Sequence, residues 1–156
     1  MKRNKNLMEL SRDHHHGLLL GWKIKQGFKY NVALQEIVSY IDHFARHALF
    51  PHFEEEEEQL FVYLPDDNEY RKRAIADHQK IKRLIADICA SKWIDEAALL
   101  NLADIIETHI RFEEREMFPY MEVTLPAQQL EEIGAVISDI HQPYTENFPN
   151  EFWARK

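Results

Sequence analysis

Two stretches of the chain pair an imidazole with a carboxylate at the same spacing. In HFEEEEEQLF, residues 52–61, His52 is followed four residues later by Glu56; in HIRFEEREMF, residues 109–118, His109 and Glu113 stand in the same relation. Both fit His-x-x-x-Glu-Glu-x-x-(Leu/Met)-Phe. On a helix, residues four apart lie one turn apart on one face, so each pair can reach a single site. Imidazole nitrogen with carboxylate oxygen suits iron, manganese or zinc, and a carboxylate can bridge two ions. Two such pairs on two helices supply one bridge each, which is the donor set of a dinuclear metal centre. A glutamate run is otherwise a solvated face, and Glu54, Glu55, Glu57 and Glu58 read that way. Glu57 and Glu114 sit one residue past the candidate bridges, about 100° further round the helix. They are expected to meet solvent or a neighbouring helix edge, and to matter little for metal.

The elements that must position these residues are helices. Apolar residues recur at helical spacing nearly throughout. A first helix is predicted from about residue 7 to Gly27, with Leu7, Leu10, His14, Leu18 and Gly21 on one stripe. Asn31 is a candidate N-cap for a second helix reaching about Tyr63. Its stripe is Val38, Ile41, Ala45, Leu49, His52, Glu56 and Leu60, and Pro51 should kink it by removing a backbone donor. LPDDN, residues 64–68, reads as a loop. A third helix carries Ile75, His78, Ile81, Ile85 and Ile88 and ends near Ser91. Asp95 can cap a fourth, striped with Leu99, Leu102, Ile106, His109, Glu113 and Met117, with Pro119 near its end. A short fifth helix, about Ala127 to His141, follows Pro126. The tail after it is irregular, but its aromatics should pack back onto the body. The fold class implied is all-α: an antiparallel up-down four-helix bundle with a short C-terminal helix and irregular tail.

His14, His52, Glu56, His78, His109 and Glu113 all stand on apolar stripes. Burying six polar groups without partners would cost roughly 1–3 kcal/mol each, so a bundle that gathers the stripes should also gather these residues around a common ligand. Helix phase favours His14 over His15 on the first helix without excluding His15. His43 and His47 are four apart on the second helix but lie off the His52 stripe, which puts them at the surface or behind the ligands. His141 falls outside the motif and is expected to bond locally, and Cys89 to be a core thiol.

Bulk properties narrow the class. The 156 residues carry 45% hydrophobic residues and only 4 Gly and 6 Pro, consistent with one packed domain of long elements. A net charge of -8 argues against nucleic acid or an anionic membrane as partner. Cys89 is the single cysteine, so no internal disulfide forms, and no signal peptide or spanning segment is legible. A cytoplasmic protein is the expectation.

Four segments together resemble the hemerythrin-like family, the HHE cation-binding domains: RDHHHGL in the first helix, HFEEEE in the second, ADHQKI in the third and HIRFEEREMFP in the fourth. The resemblance spans about residues 7–122, leaving a C-terminal helix and tail at 126–156, and takes the whole chain as a single hemerythrin-like domain. It implies a four-helix bundle around a non-haem di-iron centre, iron ahead of zinc or manganese. The implied ligands are His14, His52, Glu56, His78, His109 and Glu113, with the glutamates bridging and the histidines terminal. Two departures stand out. Oxygen-carrying hemerythrins have two histidines four apart in the third helix, where His78 is followed here by Lys82. They also close the last motif with aspartate, where this chain has Glu113. One terminal nitrogen is thus missing, which counts against strict reversible oxygen carriage. The leading function is a non-catalytic di-iron protein that binds dioxygen, peroxide or nitric oxide for sensing, storage or protection. The alternative is a di-iron enzyme that reduces peroxide or oxygen, since an open coordination position admits substrate.

Overall fold

The computed structural model describes residues 2–155, and every regular element among them is helical. Helix α1 is Met8–Lys29. Helix α2 is a rod over residues 34–63: Leu34–Phe44 and Phe50–Glu55 are α, Ala45–Leu49 and Glu56–Leu60 are π turns, and Phe61–Tyr63 ends it as a 3-10 turn. Helix α3 is Glu69–Ala90. Helix α4 is a second rod over residues 96–124, with Glu96–Phe112 and Phe118–Thr124 as α and Glu113–Met117 as π. Helix α5 is Ala127–Ile140. No helix among the described residues is long and apolar enough to cross a membrane.

The ends follow from local chemistry. The Asn68 side chain accepts from the Arg71 amide at 3.1 Å and the Asp95 side chain from the Ala97 amide at 2.9 Å, capping α3 and α4. Asn31 does not cap α2. It takes a left-handed conformation (φ 52°), which asparagine tolerates, and helps terminate α1. The cap is Ala33, whose amide donates to Glu36 Oε2 at 3.1 Å. Pro51 and Pro119 each lie just after a π turn, at the start of the α segment that follows it, where a missing amide donor is tolerated.

The predicted stripes of α2 and α4 are buried at every position. On α1 the buried line leaves the predicted one after His14. It steps three residues to Gly17 and on to Leu20 and Ile24, and Leu18 is exposed. A Cβ at Gly17 would lie 2.7 Å from Ile110 Cδ1, so α1 packs closely on α4 there and a larger residue would displace the Ile110 side chain. Cys89 is exposed, one step round α3 from the buried Ile88, and is not a core thiol.

The core falls into two apolar clusters. One contains Leu20, Ile41, Phe53, Ile81 and Ile106; the other contains Leu10, Leu60, Ala74, Met117 and Phe118. Between them in residue order on α1 and α3 comes a buried polar layer, which on α2 and α4 is interleaved with Phe53, Ile110 and Phe112 of the clusters. The tail packs back as its aromatics imply, burying Phe152 and Trp153. A buried lysine fixes it: Lys23 donates to Glu146 Oε1 at 2.7 Å and to the Tyr40 hydroxyl at 3.0 Å, with Trp153 4.1 Å from the ammonium. Partial burial pushes the Glu146 carboxyl up, but hydrogen bonds from Lys23 and Tyr40 hold it down to about 2.

Candidate metal centre

The buried layer consists of His14 from α1, His52 and Glu56 from α2, His78 from α3, and His109 and Glu113 from α4. The structure brings all six residues singled out in the sequence to one level. His15 is exposed, His16 packs against Tyr144, and neither joins them. His43 and His47 lie against each other with ring centres 4.5 Å apart, His47 exposed, and neither is among the clustered donors.

The donors form two groups that share both glutamates: His14, His52, Glu56 and Glu113, and Glu56, His78, His109 and Glu113. The glutamates face both groups at once. Glu56 Oε2 lies 3.3 Å from His52 Nε2 and 3.6 Å from His14 Nε2, while its Oε1 lies 3.2 Å from His78 Nε2. Glu113 Oε1 lies 2.9 Å from His14 Nε2, while its Oε2 lies 3.4 Å from His109 Nε2 and 3.8 Å from His78 Nε2. Each carboxylate therefore turns one oxygen to each histidine pair, the disposition of a bridging ligand.

The histidines are aimed from behind. His14 Nδ1 donates to Glu114 at 2.9 Å, His52 Nδ1 to Asp13 at 2.9 Å, His78 Nδ1 to Glu57 at 2.6 Å and His109 Nδ1 to Asp77 at 2.9 Å. The pattern is cyclic: α1 supplies the carboxylate for the histidine of α2, α2 for α3, α3 for α4, and α4 for α1. A carboxylate on the outer nitrogen fixes the tautomer and leaves the Nε2 lone pair facing inward. Glu57 and Glu114 therefore meet a neighbouring helix edge, half-buried against the histidines of α3 and α1. The reason is that the helix edge at that phase faces the histidine of the next helix. Glu55 is not a simple solvent-facing residue either, because it accepts from His141 Nδ1 at 2.9 Å. Thus His141 does not bond locally; it joins α5 to α2. A sequence signal for the outer carboxylates exists in retrospect: Asp-His in α1 and α3, and Glu-Glu in α2 and α4.

Several of the inward atoms lack a hydrogen-bond partner. His52 Nε2, both Glu56 oxygens and Glu113 Oε2 are buried without a hydrogen bond, although other donors lie close by. Their proximity without hydrogen-bond geometry indicates atoms aimed at a shared point and not at one another. His78 Nε2 and His109 Nε2 face each other at 3.1 Å, which two bare lone pairs do not tolerate without a proton or a metal between them. Burial opposes the imidazolium, but Glu56 and Asp13 hold His52 up at about 9, and Glu113 and Asp77 hold His109 up at about 10. His14 and His78 are raised for the same reason. Burial likewise pushes Glu56 up, and the charge of His52 with the surrounding imidazoles pulls it well below the usual range. Buried histidine and glutamate at these distances fit a metal site, with mixed nitrogen and oxygen donors suited to a first-row transition metal.

A cavity of about 50 Å³ reaches His14, His52, His109 and Glu113 between α1, α2 and Tyr144 of the tail, through apolar walls that include Phe44, Leu49 and Ile110. That is room for a few water-sized molecules.

The hemerythrin family model, described as the hemerythrin HHE cation binding domain, matches residues 5–121. The chain belongs to this family of cation-binding domains. No curated protein and no solved structure is similar enough to count as a match.

Proposed function

We propose that this member of the hemerythrin family holds two iron ions and uses them to bind dioxygen or a related small ligand, peroxide or nitric oxide, for sensing, storage or protection. His14 and His52 would serve one ion, His78 and His109 the other, and Glu56 and Glu113 both. The observation that carries the reading is the pair of four-donor groups sharing the same two glutamates, because a single ion needs no shared donors. Bound there, the iron pair would supply the redox-active centre to which such ligands attach.

The chain's own residues do the rest. The outer carboxylates hold the proton on each Nδ1 and so aim each Nε2 inward, the two apolar clusters keep bulk water from the layer, and the cavity admits only small molecules. With Lys82 where the oxygen carriers have a further histidine, one terminal nitrogen is missing, and one additional coordination position would be open to a small ligand or filled by another donor. An open position admits a substrate as well as a ligand, so reduction of peroxide or oxygen is the second reading.

The experiment is anaerobic reconstitution with ferrous iron, followed by exposure to dioxygen or nitric oxide and monitoring by visible absorption. A spectral change that reverses when the gas is removed supports binding. Continued consumption of oxygen or peroxide with an added reductant supports the enzyme. No response from iron-loaded protein refutes both.

A further inference from the structure

We infer that His141 is a positioning residue for the His14–His52 half of the centre, so that the C-terminal helix and tail, which lie beyond the matched family segment, set the affinity of one metal ion and not the other. The inference rests on the proposed two-ion reading.

His141 is the residue at which α5 ends; its amide donates to the Ile137 carbonyl at 2.8 Å and its side chain is 5% exposed. Nδ1 donates to Glu55 Oε1 at 2.9 Å, and Nε2 lies 3.2 Å from Asp13 Oδ1. The other Asp13 oxygen accepts from His52 Nδ1 at 2.9 Å. Asp13 thus meets a ring nitrogen at each oxygen, His52 in front and His141 behind, and His141 holds it as an ion pair when both its ring nitrogens carry protons. The corresponding carboxylates of the other half have less. Asp77 has Arg73 at 4.0 Å, and among the described residues Glu57 shows no hydrogen bond or ion pair besides His78.

His141 is also placed independently of the metal layer. The tail after it is tied down by Lys23 through Glu146 and by the buried Phe152 and Trp153. An anchored histidine that restrains an orienting carboxylate supports it; it does not merely follow. Without that restraint the short Asp13 side chain gains rotamers, and the His52 ring loses its aim. Losing an outer partner of a metal ligand lowers affinity by 10–100-fold, and a group one step further out belongs at the low end, about tenfold.

The test is a stepwise titration of the metal-free 156-residue chain with cobalt(II) in the absence of oxygen, read by visible absorption. The parent is expected to show two steps. His141→Ala should weaken one step about tenfold and leave the other unchanged. Asp13→Asn should weaken the same step, and adding His141→Ala to it should cost little more, because both act through one carboxylate. If His141→Ala does not fold, His141→Gln, which keeps bulk and one donor, should show a smaller loss on the same step. Equal weakening of both steps, full additivity with Asp13→Asn, or no change overturns the inference. A parent that binds no cobalt refutes the metal centre itself, and this role with it.

Discussion

The two halves of the centre use the same donors and hold them by different means. His78 lies flat against Phe53, ring centres 3.9 Å apart and planes 13° from parallel, with Phe61 near-parallel at 5.6 Å. His14 has a looser stack, 5.5 Å from Phe118, and relies on tethers. Its orienting Glu114 is bound by Arg3 at 2.9 Å and Ser11 at 3.0 Å, and the Asp13 behind His52 is bound by His141. One half is aimed mainly by shape, the other mainly by charge reaching in from the N-terminal segment and the C-terminal helix. His14 and His52 both border the cavity, as does His109 of the other half, whereas the stacked His78 does not.

The largest effect should fall on both halves together. Glu56→Gln or Glu113→Gln removes a shared negative charge while keeping the shape, so two cations in one site repel with less compensation. Metal content should drop from about two ions per chain towards one or none, read by elemental analysis. Retention of the parent content would show that these glutamates do not bridge.

Phe53→Ala separates the halves by shape. Truncating a buried phenylalanine costs about 3–5 kcal/mol, measurable by denaturation of the metal-free protein. It should also weaken the ion of His78 and His109 more than its neighbour. Equal weakening would mean that the stack does not aim His78.

Outer carboxylates separate the halves by charge. Asp77→Asn and Glu57→Gln should lower affinity about 10–100-fold at the His78–His109 half, and Asp13→Asn and Glu114→Gln should do so at the other. Competition titrations against a chelator read each step. Unchanged affinity in the Glu57 and Glu114 variants would restore the solvated-face reading of those residues.

The smallest effect is on pH dependence. In the metal-free fold His52 and His109 are raised to about 9 and about 10, above the unfolded value of about 6.5. Their contribution is fully present below about 6.5 and is lost as pH rises through 9 and 10. Acidification from about pH 7.5 to 5.5 should therefore leave the metal-free melting temperature level or slightly higher. In the same range it should lower that of the metal-loaded protein, because protons displace the ions. Metal binding should release protons, visible as a buffer-dependent enthalpy in calorimetry. Equal melting shifts with and without metal would contradict the arrangement.

Much of the fold and the inner donors could be read from the chain, because both depend on periodicity. A histidine or glutamate on an apolar stripe stands out against its neighbours, and the stripes of α2 and α4 carry His52, Glu56, His109 and Glu113 with no break in phase. What periodicity does not show is which edge of a helix meets which neighbour. Glu57 and Glu114 look like the solvated acids beside them until the bundle is closed. Likewise Leu18 fits a four-residue step that the tight α1–α4 contact at Gly17 turns into a three-residue one. Lys23, Tyr40 and Glu146 carry no local signal at all, since their pairing joins residues more than a hundred positions apart. His141 is legible only once α5 is laid against α1 and α2.

The central claim is a shared two-ion centre, and the most direct measurement is metal stoichiometry after anaerobic reconstitution with ferrous iron, by elemental analysis of desalted protein. The account predicts about two iron ions per chain, matching two donor groups that share Glu56 and Glu113. Trace metal only, or a single tightly held ion such as zinc, would contradict it.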